Sequence, residues 1–133
     1  MKIEDIEGIN KVYGKKLRDR GIGSVKKLLE EGGTRKGRET LAKDLGISPK
    51  LMLEWVNHAD LYRVKGIGSE YSDLLEAAGV DSVKELAQRK PENLHAKLKE
   101  VNDAKKLVRR GIGLKMCENF VAHAKDLPRA VSH

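Results

Sequence analysis

Sliding the 133-residue sequence against itself by 58 positions lays Ile6-Glu7-Gly8-Ile9-Asn10 over Val64-Lys65-Gly66-Ile67-Gly68. The same offset pairs Tyr13 with Tyr71, Leu17 with Leu75, Gly21 with Gly79 and Ile22 with Val80. It also carries Ser24-Val25-Lys26 onto Ser82-Val83-Lys84. The register resumes at an offset of 65, where Leu51 meets Met116, Trp55 meets Phe120, and His58-Ala59 meets His123-Ala124. The seven extra residues of the second copy fall between Gln88 and Gly113. Such self-similarity is the mark of a duplicated structural unit, because equal sequence patterns bury equal faces. The expected division is residues 1–60 and 61–133. No Gly/Ser/Pro linker separates them near Asp60-Leu61, so the two copies are expected to pack directly against each other.

Each copy reads as short helices joined by tight turns. Leu41 and Leu45 keep helical spacing, as do Met52, Trp55, Val56 and Ala59, and in the second copy Leu94, Leu98 and Val101. Ser48-Pro49 supplies an N-cap followed by proline at the first helical position, and Ser82 with Glu85 forms a capping box. Gly21 and Gly79 fall where a left-handed residue closes the preceding helix. No stretch alternates apolar and polar residues, so strands are not expected. The fold class is all-α: two fused, pseudo-symmetric five-helix units.

Composition narrows the function. No apolar run is long enough to cross a bilayer, and Met1-Lys2-Ile3-Glu4-Asp5 is not a secretory leader, which points to a cytoplasmic chain. The single cysteine, Cys117, leaves no internal disulfide or paired-cysteine zinc site and reads as a small buried filler. His58 and His123 are repeat equivalents and suggest a shared packing or surface role, not a metal pair; His95 stands apart, and His133 is terminal and expected to be mobile. Neither a Gly-Lys-Ser/Thr phosphate loop nor His-Glu-x-x-His occurs, and the acids are scattered among bases as on solvated helix faces. Neither an enzyme nor a bound cofactor or metal is expected. The 27 basic against 20 acidic residues give a net charge of +7, which favours an anionic partner, nucleic acid first.

Gly-Ile-Gly occurs at 21–23, 66–68 and 111–113. The repeat alignment sorts them. The first is a helix stop followed by a new start, and the third matches Gly46-Ile47-Ser48, the turn before the last helix of a unit. Only Gly66-Ile67-Gly68 matches Gly8-Ile9-Asn10, with a short apolar helix before and an amphipathic helix after. Ile3, Ile6, Gly8, Ile9, Tyr13 and Leu17 resemble the helix-hairpin-helix motif, as do Leu61, Val64, Gly66, Ile67, Gly68, Tyr71 and Leu75. Over nearly its full length the chain is also similar to an uncharacterised prokaryotic family, a domain of unknown function made of two such units. The stretches Leu74–Val80, Val83–Gln88 and Pro91–Lys97 carry that likeness. Asn10, where the motif prefers glycine, and Gly111-Ile112-Gly113 depart from it.

The helix-hairpin-helix resemblance implies sequence-independent DNA binding. Hairpin glycines let a phosphate approach the backbone, successive N–H groups donate to it, and neighbouring lysines add charge. The residues it points to are Gly8, Ile9, Asn10, Lys11, Lys15 and Lys16 in the first hairpin, and Gly66, Ile67, Gly68 and Ser69 in the second. Lys105, Lys106, Arg109 and Arg110 offer a second basic surface. The hairpins are not equal in charge. Lys11, Lys15, Lys16, Arg18 and Arg20 against Asp19 give +4 over 8–20, whereas Glu70, Asp73 and Glu76 give −3 over 66–78. DNA is therefore expected mainly at the first hairpin, with Asn10 tolerated because asparagine takes left-handed backbone angles. The competing reading is a compact connector whose isoleucine plugs the core, in a protein-interaction or scaffolding module that keeps the fold without binding nucleic acid. Trp55 and Phe120 read as core anchors, not base-stacking platforms.

Overall fold

The computed structural model describes residues 2–132; His133 lies outside them. Among the described residues a short 3-10 helix at Ile3–Asp5 is followed by eight α-helices: α1 Lys11–Asp19, α2 Val25–Gly32, α3 Arg35–Leu45, α4 Pro49–Leu61, α5 Ser69–Ala77, α6 Val83–Gln88, α7 Pro91–Lys105 and α8 Leu114–Asp126. Among the described residues no strand forms, and Lys2 and Ser24 make one isolated bridge. The chain is all-helical, as its sequence patterning requires. No helix among the described residues is long and apolar enough to cross a membrane.

Local chemistry sets the helix ends. Ser24, Ser48 and Ser82 each accept, through Oγ, the N–H three residues on, at 3.1 Å, satisfying one of the donors a helix start leaves open. The capping box at Ser82 is only half made, because Glu85 turns its carboxylate to Arg89 Nη2, 2.9 Å away. Gly21 and Gly79 have φ of 91° and 90° and close α1 and α5 as left-handed stops. The stop at α3 is Gly46, at φ 68°. The stop at α7 is Lys106, at φ 52°, not a glycine, and α7 is 15 residues long where α3 is 11.

The chain divides into two compact units, one running up to Asp60 and resumed from Arg129, the other Leu61–Pro128. In the first unit the buried set includes Ile3, Ile6, Ile9, Leu17, Ile22, Leu28, Leu41, Met52, Trp55 and Val56. The C-terminal segment belongs to this unit. Val131 is buried, Ser132 N–H donates to Gly33 O at 2.8 Å, and the buried Arg38 guanidinium donates to the carbonyls of Gly32, Gly33 and Ser132. Burial away from water holds the Arg38 pKa below its usual value.

In the second unit α6 and α7 pack on α8, and α5 packs on α7. Its core runs from Leu61, Val64 and Ile67 through Leu74, Leu75, Val80 and Leu86 to Cys117, Phe120 and Val121. The expectation of five helices in this unit is corrected. Residues 62–65 form turns, held by Val64 N–H to Leu61 O at 3.0 Å and Ile67 N–H to Val64 O at 3.1 Å. Here α4 runs on to Leu61, and the chain turns straight from its end into the hairpin.

Two measurements check these cores. Trp55, 1 % exposed, should cost about 3–5 kcal/mol when replaced by alanine, read by urea denaturation. Burial raises the Cys117 thiol from 9.0 to about 11. Folding favours the neutral thiol, so its contribution is full below the unfolded value and is lost as pH rises toward 11. At pH 8 only about one thiol in a thousand is ionised in the folded chain. Thiol alkylation should therefore be slow in buffer and fast in urea.

Candidate functional site

The two hairpins are built on the same bonds. Ile6 N–H donates to Ile3 O and Ile9 N–H to Ile6 O, at 3.3 and 3.1 Å, matching the Val64 and Ile67 bonds above. Gly14 N–H donates to Asn10 O at 2.8 Å, and Ser72 N–H to Gly68 O at 2.9 Å. After the helix, Ile22 N–H to Leu17 O and Val80 N–H to Leu75 O are both 2.8 Å. Ile9 and Ile67 are buried, so each does plug its core. The main chain around them stays outside, with Gly8, Asn10, Lys11 and Gly66 exposed and Gly68 and Ser69 half-buried.

The left-handed residue of each hairpin is its first glycine, Gly8 at φ 91° and Gly66 at φ 92°. Asn10 corrects the expectation made for it. Its φ is −84°, and it is the N-cap of α1, with Oδ1 accepting Tyr13 N–H at 2.9 Å. Gly68, at φ −104°, caps α5 without a side chain. Asparagine is thus in place because it caps, not because it tolerates a left-handed turn. The N–H groups of Lys11 and Val12, at the first two helical positions, have no acceptor among the described residues and point out of the helix end. Each first glycine lies against an aromatic ring of its own unit. A Cβ on Gly8 would stand 3.2 Å from Trp55 Nε1, and one on Gly66 would stand 3.1 Å from Phe120 Cε1. Tyr13 meets Trp55 edge to face at 5.2 Å, and Tyr71 meets Phe120 likewise at 5.9 Å.

Electrostatics separate the hairpins, though not by the sequence tally. Arg18 is paired with Glu4, and their mutual hydrogen bond lowers the Glu4 pKa and raises that of Arg18. Arg20 binds Asp44 at 2.8 Å and Glu31 at 3.8 Å, and the Asp44 bond raises its pKa. Lys15 pairs with Asp19 at 2.9 Å on a fully solvated face, a contact of small energy that a ligand can displace. Lys16 Nζ stands 5.8 Å from the Tyr13 ring centroid. Lys11 is exposed with no ion pair among the described residues. Of the five bases over 8–20, Arg18 and Arg20 are thus paired with carboxylates distant in sequence, while Lys11, Lys15 and Lys16 stand exposed on α1 with the exposed Glu7 just before Gly8. Beside the second hairpin, Glu70 is exposed, Asp73 and Glu76 are half-buried, and Lys65 N–H donates to His123 Nδ1 at 2.9 Å. A cavity of about 550 Å³ opens there, lined by Lys65, Gly66, Met116, Asn119, Phe120 and His123.

Lys105, Lys106, Arg109 and Arg110 are all exposed, at the end of α7 and on the loop 106–113. That loop is the place where the second copy gains most of its extra length, since 46–48 do the same work in the first. Asn102 holds it on both sides of Val108, accepting its N–H at 2.9 Å and donating to its carbonyl at 3.0 Å, and His95 Nε2 meets Ile112 O at 2.8 Å. Gly113 occupies the position before α8 that Ser48 occupies before α4, as the repeat alignment requires. The structural parts that the sequence did not announce are Glu4, Glu31 and Asp44 as partners of arginines, and Asn102 and His95 as loop clamps.

The profile of the family described as Domain of unknown function (DUF4332) matches residues 7–127. No curated protein matches the chain, and no solved structure does.

The glycines give a direct check of this geometry. Gly8→Ala should cost about 1–3 kcal/mol, because a left-handed φ and the indole both oppose a Cβ. Gly68→Ala should cost under about 1 kcal/mol, since its φ is ordinary and nothing lies within 4 Å of the new atom. Urea denaturation of the two variants reads the difference.

Proposed function

We propose that this chain, which belongs to the DUF4332 family, binds DNA without sequence preference through the first of two helix-hairpin-helix units. The observation that carries the reading is the coincidence, at one exposed hairpin, of open N–H groups at Lys11 and Val12 with the Lys11, Lys15 and Lys16 ammonium groups. Backbone donors at a helix start favour an anion, and lysines beside them add attraction and release counterions. Nothing in this arrangement reads base edges, so binding follows the phosphate backbone.

The two-unit reading is supported by hydrogen bonds that recur at the offset of 58, from Ile6–Ile3 to Ile22–Leu17, and by the Tyr13–Trp55 ring contact, which recurs as Tyr71–Phe120 across the offsets of 58 and 65. In the second unit Gly66, Ile67, Gly68 and Ser69 keep the hairpin, but Glu70 repels what the amides invite. That hairpin is the part of the molecule to which the scaffolding alternative applies best. Lys105, Lys106, Arg109 and Arg110 then give the second unit its phosphate-facing charge on the clamped loop.

Fluorescence anisotropy with a labelled duplex tests the proposal. Affinity should fall steeply with salt, at a log-log slope of about 0.9 for each phosphate neutralised. Reversing Lys11, Lys15 and Lys16 to glutamate should remove most binding and flatten that slope, while Glu70→Gln should leave affinity unchanged or slightly raised. No binding by the unaltered chain at low salt and micromolar protein would overturn the DNA reading.

A further inference from the structure

The second unit gathers its positive charge on one loop. Residues 104–117 hold five bases, Lys105, Lys106, Arg109, Arg110 and Lys115, and no acid, whereas the rest of the unit, 61–128, holds eight bases and ten acids. All five are exposed, and none has an ion pair among the described residues. The exposed Asp103 precedes the stretch on α7, and the half-buried Glu118 follows it on α8. Three residues, Gly46-Ile47-Ser48, make this connection in the first unit, so joining helices does not require the longer loop. Its backbone is set in place. Lys106 is left-handed, which is uncommon for a residue with a side chain, Asn102 clamps Val108, and Val108 and Ile112 are buried. Leu107, just before Val108, and Leu114, just after Gly113, are nevertheless left 36 % and 38 % exposed. The one other large apolar side chain exposed among the described residues is Val12, which neighbours Lys11. Exposed leucines gain from leaving water and nothing from a phosphate charge, so an anion alone does not account for them.

We infer that residues 105–115 enter the minor groove of a DNA duplex, with the five cations on the phosphate rows of both strands and Leu107 and Leu114 against the deoxyribose walls between them. Two features choose this groove. Cations lie on both sides of Leu107 in the chain, and the minor groove, about 6 Å wide, brings opposite phosphate rows close together, whereas the major groove admits a whole helix. Arginines and apolar side chains are also the groups that proteins place in the minor groove, where sequence is read only coarsely. An anionic bilayer would supply the same two chemistries. Two partly exposed leucines, however, bury less apolar area than one myristoyl chain, which alone gives only marginal membrane binding. This inference rests on the DNA reading above and extends it. It names the groove, adds Lys115 and the two leucines to the contact, and gives the second unit a DNA surface that does not use its acid-flanked hairpin.

Fluorescence anisotropy of the full-length protein on an A·T-rich duplex separates the apolar contact from the ionic one. Leu107→Ser and Leu114→Ser together should lower affinity about tenfold at every salt concentration and leave the log-log salt slope unchanged, because apolar contacts release no counterions. Both side chains are exposed, so the melting temperature should stay the same. A second measurement needs no variant. Netropsin, a small molecule that fills the minor groove, should weaken binding of the unaltered protein to the level of the double-serine variant and weaken the variant little further. Double-serine affinity equal to the original, or undiminished binding with netropsin in place, overturns the inference and leaves the DNA reading standing. Binding to phosphatidylserine vesicles that the serine substitutions abolish, with duplex affinity intact, assigns the loop to a bilayer and overturns it equally. If the unaltered protein binds no duplex at low salt, the DNA reading falls and this inference falls with it.

Discussion

The contact between Gly8 and Trp55, with its counterpart between Gly66 and Phe120, fixes where each hairpin stands against the last helix of its unit. A left-handed glycine lets the chain turn over the ring, and the isoleucine that follows it goes into the core. With the isoleucine buried and the glycine against the ring, the next residues have their N–H groups turned outward at a helix start. The outward N–H groups at this helix start are thus a by-product of core packing. What distinguishes a binding hairpin from a connector is the chemistry placed around that geometry.

The first unit shows how a charge count misleads without contacts. Arg18 and Arg20 stand among the basic residues of the first hairpin helix, yet both are spent on carboxylates distant in sequence, Glu4 and Asp44. These pairs join the opening 3-10 helix and α3 to α1, so they act on the fold. Exposed pairs of this kind contribute little each. Their effect is to place a carboxylate beside each of two of the five bases counted over 8–20.

Much of this was legible in the sequence because it is local or periodic. The repeat, the glycine stops at Gly21 and Gly79, the serine caps and the burial of Trp55, Phe120 and Cys117 all follow from short-range patterns. Other features depend on which segments meet, and local patterns carry no record of that. The left-handed Lys106 is held by its N–H bond to Asn102 O at 2.7 Å and by the Asn102 clamp on Val108, and no glycine marks the spot. Asn10 shows a different failure. Asparagine serves equally in left-handed turns and as an N-cap, and only the backbone angles choose between them. The return of Val131 and Ser132 to the first unit rests on the buried Arg38, a residue type that mostly faces solvent.

The measurement closest to the central claim is a nitrogen-15 amide map of the whole chain titrated with a short duplex. A ligand that meets backbone donors perturbs those amides more than any side-chain contact does. If the first hairpin is the phosphate site, the resonances of Gly8 through Val12 should shift together and early, with those of Gly66 through Glu70 nearly still. Equal shifts at both hairpins, or shifts confined to the second, would contradict the assignment of binding to the first unit.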